Sequence, residues 1–105
     1  MFFLMVCHHG TDAFTASKRE AERPNHRAWV ASGGDGCAKV LTGSAILDAE
    51  GNAAGNFGIL QAETEADARA FAEGDPFFTS GIVSGYTLTR LADTFRAERI
   101  DPLTR

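Results

Sequence analysis

The sequence predicts an α+β fold, a ferredoxin-like βαββαβ arrangement in which four antiparallel strands form one sheet and two helices cover one of its faces. Three observations carry this. Phe2 to Cys7 is an unbroken apolar run, Ala38–Leu47 and Asn56–Glu63 are strand-like stretches joined by the turn-rich segment Asp48–Gly55, and capped helix starts follow the first and third strands.

Residues 2–7 read as a central strand covered on both faces, because a strand with one wet face alternates polar and apolar residues. Gly10-Thr11-Asp12 breaks the run, and Ser17-Lys18-Arg19-Glu20 has the Ser-x-x-Glu form in which hydroxyl and carboxylate cap a helix start reciprocally. Pro24 removes a backbone donor, so a short first segment is expected, then a second helix with Pro24 in its first turn that ends at Gly33-Gly34. On that helix His26, Trp29, Val30 and Gly33 share a face by the i, i+3, i+4 rule, extended backward by Arg23 and Arg19.

Ala38–Leu47 places Val40, Thr42, Ser44 and Ile46 on one side of the second strand, and this strand pairs with Asn56–Glu63 as a hairpin with a loose tip. Thr64-Glu65-Ala66-Asp67 opens the next helix, which Gly74 and Pro76 stop, leaving Asp75 just past its end. Gly85–Leu91 has the half-polar alternation of an edge strand. Asp93–Arg99 reads as helical and 101–105 as loose, so the chain divides into a domain at 1–92 and a C-terminal extension at 93–105.

The first and third strands are the most continuously apolar, which leaves the second sheet face in need of cover that this chain does not supply. A second copy placed sheet to sheet answers that need, giving a two-fold dimeric α+β barrel with Phe3, Met5, Phe57 and Ile59 in the covered area.

A length of 105 residues with 44% hydrophobic content suits one domain with its own core. The net charge is −4 and the ten Lys and Arg are scattered, which argues against a nucleic-acid partner. The apolar start lacks the basic residues and cleavage motif of a secretory leader, and no stretch approaches the roughly 18 apolar residues of a membrane helix. A cytoplasmic protein with no membrane partner is expected. Cys7 and Cys37 form no Cys-x-x-Cys motif and read as small buried hydrophobes. His8 and His9, adjacent on a strand, point to opposite faces and do not share an ion, so neither metal nor cofactor is expected.

Two segments carry the candidate chemistry. Arg23-Pro24-Asn25-His26 and Asp75-Pro76-Phe77 each set a titratable side chain beside a proline that fixes the local backbone. His26 and Asp75 are the candidate catalytic pair, a base and the carboxylate that orients it. Trp29 and Phe77, with Phe78 and Met5, are expected to wall an apolar pocket for a planar ligand, while Arg23 or Ser44 holds a carboxylate or oxyanion. His8 is a further candidate acid. The plainer alternative has Asp75 capping the loop at Pro76 and His26 packed as a core histidine.

These residues, in this order and spacing, resemble the YCII-related family of small dimeric α+β-barrel proteins. The matching features are Arg23-Pro24-x-His26, Gly43, the Asp48–Gly51 turn, Glu65-Ala66, and Asp75-Pro76-Phe77 with Gly81, spread over about residues 2–91. The resemblance implies that His26 and Asp75 form the active-site pair. It also implies kinship with dehydrochlorinases of chloroaromatic breakdown, and a fold similar to muconolactone isomerases and small cofactor-free monooxygenases. Arg27 stands where the family usually has leucine and Ser44 where proline is common, both at the expected pocket wall. Three function classes stand open: a cofactor-independent lyase or isomerase moving a proton on a small aromatic or enol-like metabolite, a non-catalytic small-molecule-binding or regulatory dimeric module using the same cleft, and a purely structural dimerisation domain, which the absence of a fused catalytic or DNA-binding segment in 105 residues argues against.

Overall fold

Alternation governs β1 (Phe2–His9): Phe3, Met5, Cys7 and His9 are buried, Phe2, Leu4 and Val6 are half-buried, and His8 is exposed. The computed structural model describes residues 1–98, so the expectations for Arg99 and 101–105 lie outside the described residues. After β1 come α1 (Ala13–Ala31), α2 (Gly33–Gly36), β2 (Lys39–Leu47), β3 (Ala53–Gln61), α3 (Glu65–Gly74), α4 (Pro76–Thr79) and β4 (Val83–Arg90). The strands make one antiparallel sheet in the order β2-β3-β1-β4, with β1 and β3 central and β4 at an edge. The core lies between the sheet and the helices, with Phe3, Leu60, Phe71 and Ile82 fully buried.

Two expectations about α1 are corrected. Its cap is Asp12, whose Oδ1 accepts from Thr15 N at 2.9 Å while Oδ2 accepts from Thr15 Oγ1 at 2.8 Å, so Ser17 lies inside the helix and not at its start. Pro24 also lies inside this continuous helix. It is exposed, so water reaches the carbonyl of Glu20 that loses its donor, and packing of the opposite face outweighs a cost of roughly 3 kcal/mol. Beyond Ala31 the chain turns through left-handed Gly33, Gly34, Asp35 and Gly36, with φ of 61°, 64°, 57° and 93°. A Cβ on Gly33 would lie 1.9 Å from the carbonyl oxygen of Ala38, so the turn into β2 requires glycine there.

The alternation expected along β2 is broken by a bulge. Val40 pairs with Leu60 and Thr42 with Ile59, leaving Leu41 as the extra residue. Val40 therefore shares the helix-covered face with Leu60 and Phe3, whereas Thr42, Ser44 and Ile46 point the other way. The hairpin tip is tied and not loose: Asp48 Oδ1 accepts from Glu50 N at 3.0 Å and from Asn52 N at 2.9 Å. Thr64 caps α3 as expected, accepting from Asp67 N at 3.1 Å.

The apolar face turned away from the helices carries Leu4 and Val6 beside their cross-strand partners Ile59 and Phe57. Phe3 and Met5, expected there, face the helices instead, because neighbours on a strand take opposite sides. Residues 93–98 form turns and not the expected helix. Among the described residues no helix is long and apolar enough to cross a membrane.

Candidate active site

His26 on α1 and Asp75 at the junction of α3 and α4 meet over 49 residues of sequence. His26 Nδ1 stands 2.9 Å from Oδ1 and 2.8 Å from Oδ2 of Asp75. A carboxylate only accepts, so Nδ1 carries the proton, and in the neutral ring Nε2 then presents a lone pair. Nε2 bonds to no protein atom among the described residues. Asp75 is 6% exposed and its Oδ1 also accepts from Phe77 N at 2.9 Å, capping α4. The same carboxylate thus performs both roles that the sequence offered as alternatives, cap and histidine partner.

Phe77 lies parallel to the His26 ring, centroids 4.0 Å apart and planes 3° from parallel. Held at its edge by Asp75 and on its face by Phe77, the imidazole has little rotational freedom. It opens onto a cavity of about 360 Å³ between α1 and the sheet, a volume suited to a small ring compound.

A second polar cluster lines the same cavity. His9 Nε2 lies 2.7 Å from Asn56 Oδ1, and Arg19 Nε donates to His9 Nδ1 at 3.1 Å. Both His9 and Arg19 are buried. Burial lowers the pKa of His9 below its ordinary 6.5; the Asn56 hydrogen bond works against this, and the nearby charge of Arg19 adds to it. Burial, with the negative charge of Asp75 next in importance, pushes the Cys7 thiol up to about 12.

The other residues singled out from the sequence divide. Arg23 lines the cavity but is held by Glu20, Nη2 to Oε1 at 2.6 Å. Met5 and Phe77 also line it. Trp29 does not: its indole Nε1 donates to Phe71 O at 3.0 Å, and its ring fills a slot bounded by Gly34 and Gly74. At about 100° per residue, Arg19, Arg23, His26 and Val30 fall within one narrow stripe of α1, and Trp29 lies outside it. Phe78 packs edge-on to Tyr86, centroids 6.0 Å apart, and is likewise outside the cavity. Ser44 contributes to the cavity rim, yet the register puts its side chain beside Phe57 on the far face, where Oγ donates to Ala45 O at 2.9 Å. This follows from the bulge at Leu41.

Sequence reasoning missed His9 and Asn56 and chose His8, which is exposed. The available signal was the two-residue period that puts His9 on the face of Phe3, Met5 and Cys7. Arg19 was visible only as an extension of the His26 face.

Fold and site together define a class: a ferredoxin-like α+β domain whose main helix and α3–α4 junction set a histidine–aspartate pair over a ligand-sized cavity. The chain belongs to the YCII-related domain family, whose model matches residues 1–92. Among solved structures it is similar to the 5-chloro-2-hydroxyhydroquinone dehydrochlorinase of Burkholderia phenoliruptrix AC1100 in complex with 2,5-dihydroxybenzoquinone. The TM-score is 0.73 at 23% identity, covering 88% of this chain and 94% of that one, a likeness of fold. Among curated proteins none matches.

Proposed function

We propose that the protein is a small cofactor-independent enzyme in which His26 transfers a proton on a small aromatic or enol-like metabolite, in a reaction of lyase or isomerase type. The observation that carries this reading is the unpartnered Nε2 of His26, on a ring locked by Asp75 and Phe77 at the wall of a cavity. Nε2 takes a proton from a C–H or O–H group of the bound compound, and the Asp75 carboxylate stabilises the imidazolium that results. In a lyase the freed electron pair expels a leaving group; in an isomerase the proton returns at another atom. The chlorinated hydroquinone named for the structural neighbour supplies the first substrate class to try.

The reading includes a homodimer in the cytoplasm, with no nucleic-acid partner and with 93–105 as an extension outside the catalytic unit. Leu4, Val6, Phe57 and Ile59 form the apolar face on which a second copy would sit. Light scattering at micromolar concentration is expected to give twice the chain mass, and a monomer would remove the dimer.

Proton transfer is tested by NMR of candidate hydroquinones and enol lactones in D₂O, with chloride release followed for the chlorinated ones. Wild type is expected to exchange or eliminate, and His26→Ala to do neither while remaining folded. A compound that binds saturably in the cavity with no exchange or turnover would favour the binding-module reading instead.

A further inference from the structure

Arg19 carries a buried charge that no carboxylate among the described residues pairs with. It is 8% exposed, lines the cavity and belongs to no ion pair among the described residues. Nε donates to His9 Nδ1 at 3.1 Å and Nη2 to Gly10 O at 3.4 Å, both uncharged acceptors, while Nη1 bonds to no protein atom among the described residues. Because His9 Nδ1 accepts, it holds no proton, and the ring is neutral with Nε2–H donating to Asn56 Oδ1. Asn56 therefore orients His9, and His9 orients the guanidinium. The carboxylate nearest to hand in the cavity, Asp75, is already engaged by His26 and Phe77 N.

A guanidinium removed from water without a counter-charge is costly, and an incoming anion offsets that cost without further reorganisation. Its planar donors match the oxygens of a carboxylate or phenolate. Seven residues separate Arg19 from His26, about 10 Å of helix rise, a span that one ring with an anionic substituent bridges.

We infer that Arg19 is the anion anchor of this cavity, binding a carboxylate or phenolate oxygen of a ring compound through its free N–H groups while the rest of the compound extends toward His26. The inference rests on the proposed reading of the cavity as the substrate site, but it concerns binding and needs no turnover.

The test uses benzoate and its uncharged counterpart benzamide, titrated calorimetrically into the full chain. Wild type is expected to bind benzoate about tenfold more tightly or better, the worth of one hydrogen bond to a charged group. Arg19→Met, which keeps most of the buried volume, is expected to lose that preference, and His26→Ala to keep it. Independently of any variant, the Arg19 Nε–Hε resonance of wild type should shift with benzoate and stay in place with benzamide. A folded Arg19→Met that retains the preference, a preference lost in His26→Ala, or an unmoved Arg19 resonance would each overturn the assignment. Failure of every substrate to turn over, with the benzoate preference intact, would remove the proposed catalysis and leave the anion anchor standing.

Discussion

Phe77 stacks against His26 with planes 3° from parallel, and its own N–H donates to the Asp75 oxygen that also holds the imidazole. Three residues from α1 and the α3–α4 junction are thereby locked to one another. Movement of α4 would loosen the ring's edge and face together.

The first prediction concerns this lock. Asp75→Asn preserves shape, and its amide oxygen still accepts from Phe77 N, but it puts an amide NH₂ where Oδ2 accepted from His26 Nδ1 at 2.8 Å. Turnover should fall about 10²-fold or more, the usual contribution of a positioned general base, with the far-UV spectrum unchanged. A folded variant with the wild-type rate would reduce the pair to structural neighbours.

His9 predicts an acid limit to stability. Burial, assisted by the Arg19 charge and opposed by the Asn56 hydrogen bond, lowers its folded-state pKa, so the unfolded state takes up the proton first as pH falls. The stability it contributes is present above 6.5 and lost as pH falls from there through the folded value. Urea midpoints measured across this range should decline, and His9→Gln should flatten the decline. An equally steep decline in the variant would assign the loss to other groups.

The two thiols should behave differently. Cys7 is buried, with its pKa raised to about 12, whereas Cys37 is half-buried. Iodoacetamide at mildly alkaline pH should label Cys37 alone in the native protein and both cysteines in urea, as mass mapping will show. Since the unfolded thiol ionises first, Cys7 also contributes stability that is complete below 9.0 and declines as pH rises toward 12. Native labelling of Cys7 at the rate of Cys37 would contradict the burial.

Trp29 predicts a packing-limited slot. A Cβ on Gly74 would stand 2.5 Å from Trp29 Cζ2, a contact that forces the indole away from Phe71 O. Gly74→Ala should destabilise by about 1–3 kcal/mol, as overpacked sites do, even though alanine is the better helix former. Calorimetry showing a raised Tm would mean that the indole has room to move.

Much of the site's local logic was legible in the chain. The apolar run at Phe2–Cys7, the Thr64 cap and the punctuation at Gly74 and Pro76 are short-range signals, and each states its element without help from the rest. The prolines beside His26 and Asp75 likewise draw attention to those residues. Pro24 misled because the local cost of a helical proline is visible in sequence, whereas the packing that outweighs it along α1 is not. Ser44 misled because one bulged residue, Leu41, reverses the face of everything after it, and nothing local marks that residue.

By itself, then, the sequence determined the order of the four strands and the helices that follow the first and third of them, which depend on periodicity, capping and turn chemistry within a few residues, but not the continuity of α1 through Pro24 or the short helices α2 and α4. Only the tertiary structure decided which side chains share the cavity. His9 reaches Arg19 from β1, Asn56 reaches His9 from β3, and Asp75 reaches His26 across 49 residues. Those pairings depend on strand register and on the rotation of α1 about its axis, where a single residue of slip exchanges an inward side chain for an outward one.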